Sequence, residues 1–392
     1  PILGVFNSKI KRFKTNRKQL LEKIKNEVTS DNNVWFHAAS LGEYEIAVPL
    51  IKRIKEKYNT KIIFTFFSES GFKLKDRIKE IDQTYYLPLD TKENAKRFLD
   101  IINPVIVIFI KSEIWPNYLN EIKKRKIKNY LVESSFKRNN NYLSLLSFLY
   151  IDKLKMFDKI FTIDEETKDE LNKVKINNVI VSGSLKIERV KELLNDNYNN
   201  IIIEKFKENS FCIICGSTWK KDEDMIIKYI EKSKNQKIKW IIAPHDISKN
   251  NIKRIKRNIN SKYSIYSDIL DNNVRGNILI LDTIGHLKRI YKYSDLSYVG
   301  GGMGNKGLHN ILEACIFKIP VVIGKNYHKF KESVDLVNLG GVISVKNQDE
   351  FDNELNKLIN NEEYRLNKIN ITKKYFKEKK AATNLIIKNL TL

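Results

Sequence analysis

Short, nearly continuous apolar runs recur along the whole chain, and each is followed by a segment long enough to form a helix. Val105–Ile110 is one such run in the first half, and Phe211–Cys215 is one in the second. Runs without polar alternation are typical of parallel strands that helices cover on both faces of a sheet. The series is interrupted at the polar segment Leu194–Asn200, which suits a linker. We therefore predict two doubly wound α/β domains that face each other across a cleft.

A dense glycine cluster follows one of these runs in the second half. Gly300, Gly301, Gly302, Gly304 and Gly307 lie within eight residues, although the whole chain has only 15 glycines. The cluster separates a short strand pattern from an apolar helical pattern at 310–318. A strand, a glycine loop and a helix start let backbone N–H groups approach a phosphate closely, although a tight turn without a ligand is the alternative. The pattern favours a phosphate ligand in the second domain.

In doubly wound sheets ligands bind at the carboxyl ends of the strands, so the residues after each run are the candidate functional residues. In the first half Glu43 follows the first run at a predicted helix start, and Glu113 follows the fourth. A carboxylate at a helix start is either a capping charge or a general base. His37 is interpreted as orienting the loop that bears Glu43. The pattern predicts an acceptor site with a base in the first domain.

Four consecutive runs in the second half are followed by small, polar or glycine residues, which favours a nucleotide site. Glu313 is a candidate hydrogen-bond acceptor for a ribose, three residues after Asn310 on one helical face. The candidate binding residues at these strand ends are Ser217, Thr218, Pro244, His245, Ile284, Gly285, His286, Gly301, Gly302, Asn310, Ile311, Leu312 and Glu313.

The charge of the chain restricts the sign of its partners. Lys and Arg number 71 against 47 Asp and Glu, a formal net charge of +24. This balance suits an anionic membrane, an anionic substrate or nucleic acid. A nucleic-acid-binding protein is the less favoured alternative, since its basic and aromatic residues cluster on one element, whereas the cations here are spread over many predicted helices.

The histidines and cysteines indicate no metal site and no disulfide framework. The five His lack the close pairing typical of zinc ligands, and Cys212, Cys215 and Cys315 are too few for a disulfide scaffold. No apolar run reaches the roughly 18 to 20 residues that span a bilayer. The segment 1–6 followed by cations is either a ragged terminus or the cytoplasmic end of an apolar anchor that precedes this chain.

Several strings in this order along nearly the whole chain resemble one family, the 3-deoxy-D-manno-octulosonic acid (Kdo) transferases of lipopolysaccharide biosynthesis. The strings are Trp35-Phe-His-Ala-Ala-Ser-Leu-Gly-Glu43, Phe64-Thr-Phe-Phe-Ser-Glu-Ser-Gly71, Tyr86-Leu-Pro-Leu-Asp90, Glu113-Ile-Trp-Pro-Asn117, Gly183-Ser-Leu-Lys186, Gly216-Ser-Thr218, Ala243-Pro-His245, Asp282-Thr-Ile-Gly285 and His309-Asn-Ile-Leu-Glu313.

The resemblance implies a GT-B glycosyltransferase that moves Kdo from CMP-Kdo to the lipid A precursor (lipid IVA) with inversion, without a metal or a cofactor. It implies an acceptor domain at 1–190, a CMP-Kdo domain at 191–375 and a helix at 376–392 that packs back towards the first domain. It also implies work at the cytoplasmic face of the inner membrane, held peripherally or by an N-terminal anchor. Another GT-B enzyme that uses a UDP-sugar is the alternative.

The same resemblance implies roles for individual residues. Glu43 matches the general base, and Glu113 and Lys186 match groups that stabilise the transition state. Pro244 and His245, 284–286 and 310–313 match segments that contact CMP. The chain departs from the family pattern at Leu308, Lys111, His245 and His286.

Overall fold

The computed structural model describes residues 15, 17, 19–68, 72, 80–136, 147–233, 237–270, 274–379 and 381–391, with the backbone alone at 147–149. The chain divides into two compact units, Pro1–Arg189 with Lys379–Leu392, and Val190–Glu378. The C-terminal residues thus fall in the first unit. Within the described ranges, no helix has the length and apolar character that crossing a bilayer requires.

The first unit is built on a seven-stranded parallel sheet with the order β3-β2-β1-β4-β5-β6-β7. Its strands are β1 (Asn33–Ala38), β2 (Lys61–Phe66), β3 (Gln83–Tyr86), β4 (Pro104–Ile110), β5 (Lys128–Ser134), β6 (Lys159–Thr162) and β7 (Val179–Val181). Its helices are α1 (Leu20–Glu27), α2 (Leu41–Tyr58), α3 (Lys92–Ile102), α4 (Pro116–Lys124), α5 (Ser147–Leu154), α6 (Glu165–Lys173), α7 (Leu185–Lys191) and, from the C-terminus, α16 (Ala382–Asn389).

Helices cover both faces of this sheet, as the uninterrupted apolar runs predict. Successive strand residues point to opposite faces, so Trp35 packs among side chains of α1, α3 and α4, whereas Phe36 packs among those of α2 and α16. Helix α16 is fixed at both ends, because Thr383 N–H donates to Glu188 Oε2 (2.9 Å) and Lys159 Nζ donates to the Asn389 carbonyl oxygen (2.8 Å).

The second unit is also built on a seven-stranded parallel sheet, with the order β10-β11-β9-β8-β12-β13-β14. Its strands are β8 (Phe211–Thr218), β9 (Ile238–Pro244), β10 (Tyr263–Ile265), β11 (Ile278–Ile280), β12 (Leu296–Val299), β13 (Val321–Gly324) and β14 (Val342–Val345). Its helices are α8 (Ile201–Lys207), α9 (Lys220–Ser233), α10 (Lys249–Asn258), α11 (Leu287–Ile290), α12 (Leu312–Cys315), α13 (Lys331–Asn338), α14 (Gln348–Asn360) and α15 (Glu362–Glu378).

The predicted fold class, two doubly wound parallel α/β sheets, is confirmed. Two details differ from the sequence expectation. The edge strand β10 was not predicted, since its three residues include a serine and form no apolar run. The apolar pattern at 310–318 forms only the one-turn helix α12 rather than a longer one.

Candidate active site

Glu43 lies in the first turn of α2, directly after β1. Its Oε2 accepts hydrogen bonds from the backbone N–H groups of Ala39 (2.7 Å) and Ser40 (3.2 Å), which precede the helix. This is the capping contact that the sequence left open as the simpler explanation. Among the residues that the structure describes, none forms a hydrogen bond with the second oxygen, Oε1. The carboxylate can therefore cap the helix with one oxygen and accept a proton with the other.

The surroundings of Glu43 suit a base. Burial is the main cause that raises the pKa of this carboxyl, the charge of Lys111 lowers it, and the charge of Glu113 raises it again. Lys111 and Glu113 both follow β4, which pairs directly with β1. The structure thus brings together the two carboxylates that the sequence proposed, because their strands are neighbours in the sheet. A raised pKa makes a carboxylate a stronger base once it is ionised.

Glu113 is held by two N–H donors at the same oxygen. His37 Nε2 lies 3.1 Å from Glu113 Oε2, and Trp115 Nε1 donates to Oε2 at 3.0 Å. In the described part of the chain no hydrogen bond reaches Glu113 Oε1. The interpretation that His37 orients the Glu43 loop is wrong, since its two ring nitrogens contact Thr65 and Glu113. The β1 register explains this, because His37 stands beside Thr65 of β2 and Phe109 of β4.

Lys186 lies in the first turn of α7, and a carboxylate that the sequence analysis missed fixes this turn. The buried Glu133 side chain accepts from Ser184 Oγ (2.6 Å) and from the N–H groups of Leu185 (2.6 Å) and Lys186 (3.4 Å). Glu133 belongs to β5, which pairs with β4, so it draws the start of α7 towards the strand that leads to Glu113. The available signal was a charged residue directly after the apolar run Tyr130–Val132 of this strand.

The glycine loop of the second unit packs backbone against backbone. A Cβ on Gly300 would lie 2.5 Å from the Ser217 carbonyl oxygen, and one on Gly302 would lie 2.9 Å from Gly324 Cα. Any larger residue at these two positions would force the strand ends apart. Part of the glycine cluster is therefore explained by tight packing, which was the alternative to a ligand.

The buried carboxylate of Asp222, in the first turn of α9, binds the amide of Gly301, which the sequence predicted as part of the phosphate site. Its carboxylate accepts from the N–H groups of Gly301 (2.9 Å) and Trp219 (2.9 Å) and from the Tyr298 hydroxyl (2.7 Å), with a longer bond from Met303 N–H (3.4 Å). The Gly301 amide is therefore occupied by a protein carboxylate. Acidic residues of α9 carried no sequence signal that separated Asp222 from an ordinary first-turn charge.

Three aromatic rings from different strand ends stack beside this loop. The His245 ring lies 4.5 Å from the Trp219 ring and 4.5 Å from the His309 ring, with interplanar angles of 27° and 29°. Trp219 Nε1 donates to His309 Nε2 at 3.1 Å, and burial, together with His245, lowers the pKa of His309 to about 4. His309 is thus a neutral acceptor, and the exposed His245 ring is held between two partners. Trp219 was not among the predicted binding residues.

The remaining candidates of the second unit fall into two groups. Near the stack, Thr218 and Pro244 are buried strand residues. The Thr218 hydroxyl donates to Glu223 Oε1 at 3.2 Å, and the preceding residue, Ser217, has a φ of +52°. After β11, Ile284 is 80% exposed, Gly285 has φ +96°, and the His286 ring nitrogen Nδ1 contacts the Tyr198 hydroxyl.

Asn310 and Glu313 are joined by a hydrogen bond from Asn310 Nδ2 to Glu313 Oε1 (3.1 Å), and Ile311 and Leu312 between them are buried. Where the structure describes the chain, it holds no cluster of three or more His, Cys, Asp or Glu side chains that could bind a metal. The three cysteines are buried free thiols.

Comparison with known proteins points to one family. Residues 10–189 match the family model described as 3-deoxy-D-manno-octulosonic-acid transferase (kdotransferase). A 3-deoxy-D-manno-octulosonic acid transferase from Aquifex aeolicus is 27% identical over 83% of this chain and 86% of its own length. A bifunctional glycosyltransferase/methyltransferase from Fusobacterium nucleatum is 26% identical over 97% of this chain, which spans only 61% of that protein.

A solved structure supports the fold. UDP-GlcNAc 2-epimerase from Neisseria meningitidis, bound to UDP-GlcNAc, aligns with a TM-score of 0.64 at 16% identity and covers 91% of this chain and 98% of its own. At that identity the likeness concerns the α/β fold alone. Over residues 10–189 and across the relatives above, the chain is therefore similar to the 3-deoxy-D-manno-octulosonic-acid transferases, which are glycosyltransferases.

Proposed function

We propose that this protein transfers Kdo from CMP-Kdo to a hydroxyl of the lipid A precursor, with Glu43 as the general base. The observation that carries the proposal is the Glu43–Glu113 pair, in which N–H donors hold one oxygen of each carboxylate and no described residue bonds the other. The pair lies within the residues that match the family model. It therefore combines the chemistry that the reaction needs with the sequence that the family shares.

In the proposed reaction the acceptor hydroxyl gives its proton to Glu43 Oε1 as its oxygen bonds to the anomeric carbon of Kdo. The bond from that carbon to the phosphate oxygen breaks, and its electron pair leaves with CMP. One base suffices for a single displacement, which inverts the anomeric configuration, as in inverting glycosidases. Positive charge develops on the sugar ring, and the ionised Glu113 stabilises it. Lys186, which Glu133 holds at the start of α7, supplies a cation for the leaving phosphate.

The donor belongs to the second unit in this proposal. The carboxyl ends of β8, β9, β11 and β12 present the Trp219–His245–His309 stack, the 284–286 segment and the Asn310–Glu313 pair. Flat aromatic surfaces stack with a nucleobase, and a carboxylate accepts from a ribose hydroxyl. Because Asp222 occupies the Gly301 amide, we assign the phosphate to side-chain cations and not to that amide.

The function is tested by incubating the protein with CMP-Kdo and lipid IVA and measuring the mass of the lipid. A product heavier by one or more Kdo residues supports the proposal. UDP-N-acetylglucosamine in place of CMP-Kdo is the matched donor control, and it tests the alternative of a UDP-sugar enzyme. A product with the UDP-sugar and none with CMP-Kdo overturns the proposed donor.

Replacing Glu313 with Ala is expected to weaken CMP binding by about 1 to 3 kcal/mol, the range for losing a charged hydrogen-bond partner. Calorimetry with CMP measures the change. Glu363→Ala, an exposed carboxylate at the start of α15 in the same unit, is the control and should bind CMP as the wild type does. Equal affinities of all three proteins would place the ribose elsewhere.

We also propose that the protein works at an anionic membrane surface, because its acceptor is a lipid and its net charge is +24. Lys9, Lys11, Arg12, Lys14 and Lys18 of the basic N-terminal segment lie outside the described residues. Arg17 is described, and its guanidinium donates to the carbonyl oxygens of Leu87 (2.9 Å) and Phe67 (3.0 Å). The Arg17 guanidinium thus stabilises the fold through these hydrogen bonds. The other five cations are the candidates for contact with lipid head groups.

Changing those five cations to Gln while keeping Arg17 is expected to weaken binding to anionic vesicles, since each cation near such a surface contributes roughly 1 kcal/mol. Sedimentation with phosphatidylglycerol vesicles at low and high salt measures this, and phosphatidylcholine vesicles are the control. The affinity for CMP should stay the same. Vesicle binding that depends neither on salt nor on these residues contradicts the expectation.

A further inference from the structure

A buried histidine of β1 connects the core of the first unit to a candidate catalytic carboxylate. His37 is fully buried, with a relative exposure of 0%. Its Nδ1 lies 2.8 Å from Thr65 Oγ1, and its Nε2 lies 3.1 Å from Glu113 Oε2. Both ring nitrogens are therefore engaged, and the Trp115 ring packs edge-on against the imidazole at 5.4 Å.

The partners of His37 determine which nitrogen carries the proton. The indole Nε1–H of Trp35 can only donate, and it donates to Thr65 Oγ1 at 2.8 Å. Thr65 Oγ1 lies 2.8 Å from His37 Nδ1, whereas its contact with the Phe36 carbonyl oxygen is longer, at 3.4 Å, so for the neutral imidazole we assign the hydroxyl hydrogen to Nδ1. Nδ1 thus accepts, the proton resides on Nε2, and Nε2–H donates to Glu113. The hydrogen bonds run in one direction, from Trp35 through Thr65 and His37 to Glu113.

We propose that His37 is a positioning residue for the transfer reaction, which holds Oε2 of Glu113 in place and aims the second oxygen of this carboxylate at the reacting centre. This inference rests on the proposed function, because it assigns His37 a role through Glu113. An ionised carboxylate accepts and does not donate, so two N–H donors at Oε2, from His37 and Trp115, match that state. Because Oε2 of Glu113 is fixed in this way, the orientation of Oε1 is fixed as well.

The position of Glu113 matters because its charge acts on Glu43. Burial is the main cause that raises the pKa of Glu43, Lys111 lowers it and Glu113 raises it further, so the position of Glu113 affects how readily Glu43 takes a proton. If the Glu113 side chain could rotate, its electrostatic effect on Glu43 would differ from one conformer to the next. The imidazole fixes it, because its own tautomer and its ring plane are set by Thr65 and by the packing of Phe109 and Trp115.

Two amide replacements of His37 each keep only one of the two hydrogen bonds of the imidazole, and so test them separately. The amide nitrogen of Gln reaches the position of Nε2, whereas the shorter Asn reaches only that of Nδ1. In the full chain, H37N is expected to lower kcat by about 10- to 100-fold, the range for one hydrogen bond to a charged group. H37Q is expected to retain most of kcat. The KM for CMP-Kdo should stay within about twofold of wild type in both, since His37 lies outside the unit proposed to bind CMP.

Thermal unfolding of the same proteins separates positioning from simple packing. A structural role predicts that kcat follows the folded fraction, whereas positioning predicts that H37N is folded at the assay temperature and still slow. T65V with T65S as its control repeats the test without changing the imidazole, and T65V should lose kcat while T65S keeps it. Equal kcat values of H37N and H37Q, or a wild-type kcat in T65V, overturn the proposal. Absence of transfer by the wild-type protein would instead overturn the proposed function.

Discussion

Replacing Glu43 with Gln is expected to reduce Kdo transfer by about 10²- to 10⁴-fold, the usual contribution of a positioned general base. The amide has the shape of the carboxylate, and its oxygen can still accept from the Ala39 and Ser40 amides that hold Glu43. What is lost is the ability to take a proton. CMP affinity should not change, because Glu43 and the proposed CMP site belong to different units.

The control for this substitution is Glu93→Gln, which removes an exposed carboxylate from the first turn of α3. Both variants lose a charge at a helix start, which is worth some tenths of a kcal/mol to about 1 kcal/mol of stability. Only Glu43→Gln should stop transfer. Steady-state rates with CMP-Kdo and lipid IVA measure this, and near-normal turnover of Glu43→Gln would leave the residue as a helix cap only.

The pH dependence of transfer carries the same prediction. Burial and Glu113 raise the pKa of Glu43, and the base must be ionised to act. The rate should therefore fall as the pH drops through this raised pKa, at a higher pH than for an ordinary glutamate. The same shift means that the ionised form costs folding free energy above that pKa, and this cost disappears as Glu43 is protonated below it. The acid limb should be absent from the residual activity of Glu43→Gln.

Replacing Asp222 with Asn is expected to lower the free energy of unfolding of the second unit by about 2 to 4 kcal/mol, since the charged hydrogen bonds are lost and a buried donor is left unpaired. The buried carboxylate accepts from Gly301, Trp219, Tyr298 and Met303. The NH₂ group of Asn faces at least one of these donors and leaves it unpaired. CMP binding should weaken as well, because Trp219 and the glycine loop lose their common anchor.

Differential scanning calorimetry, with and without CMP, measures both effects. Asp224→Asn is the control, since this carboxylate lies two residues away, is nearly half exposed and pairs with Arg254 at 2.9 Å. Surface pairs contribute about 0 to 1 kcal/mol, so the control should change little. Unchanged unfolding and unchanged CMP affinity in Asp222→Asn would show that the glycine loop holds its shape without the carboxylate.

The sequence predicted the two sheets because their strands are uninterrupted apolar runs, and it predicted Glu43 and Glu113 because both follow such runs. The sequence could not show that Glu43 and Glu113 are close, because their proximity follows from β1 and β4 being neighbours in the sheet. The sequence of one strand does not reveal which strands lie beside it. The same limit explains the error at His37. Its partners, Thr65 and Glu113, belong to segments on either side of β1 in the sheet and are remote in sequence.

The glycine loop shows a second limit. Gly301 stands where a phosphate-binding amide was expected, and the pattern of a strand, a loop and a helix is indeed present. Which anion the amides bind depends on a side chain from another helix, Asp222 of α9, and on the close approach of Gly302 to Gly324. Local sequence fixes the shape of such a loop, whereas its occupant is a matter of tertiary packing.

The anomeric configuration of the transferred sugar tests the proposed mechanism most directly. Nuclear magnetic resonance of the lipid product, compared with CMP-Kdo, determines whether the anomeric centre of Kdo has inverted. One base acting on the acceptor hydroxyl in a single displacement predicts complete inversion. A product with the configuration of the donor would require two displacements, and it would contradict a mechanism in which Glu43 acts only as a base.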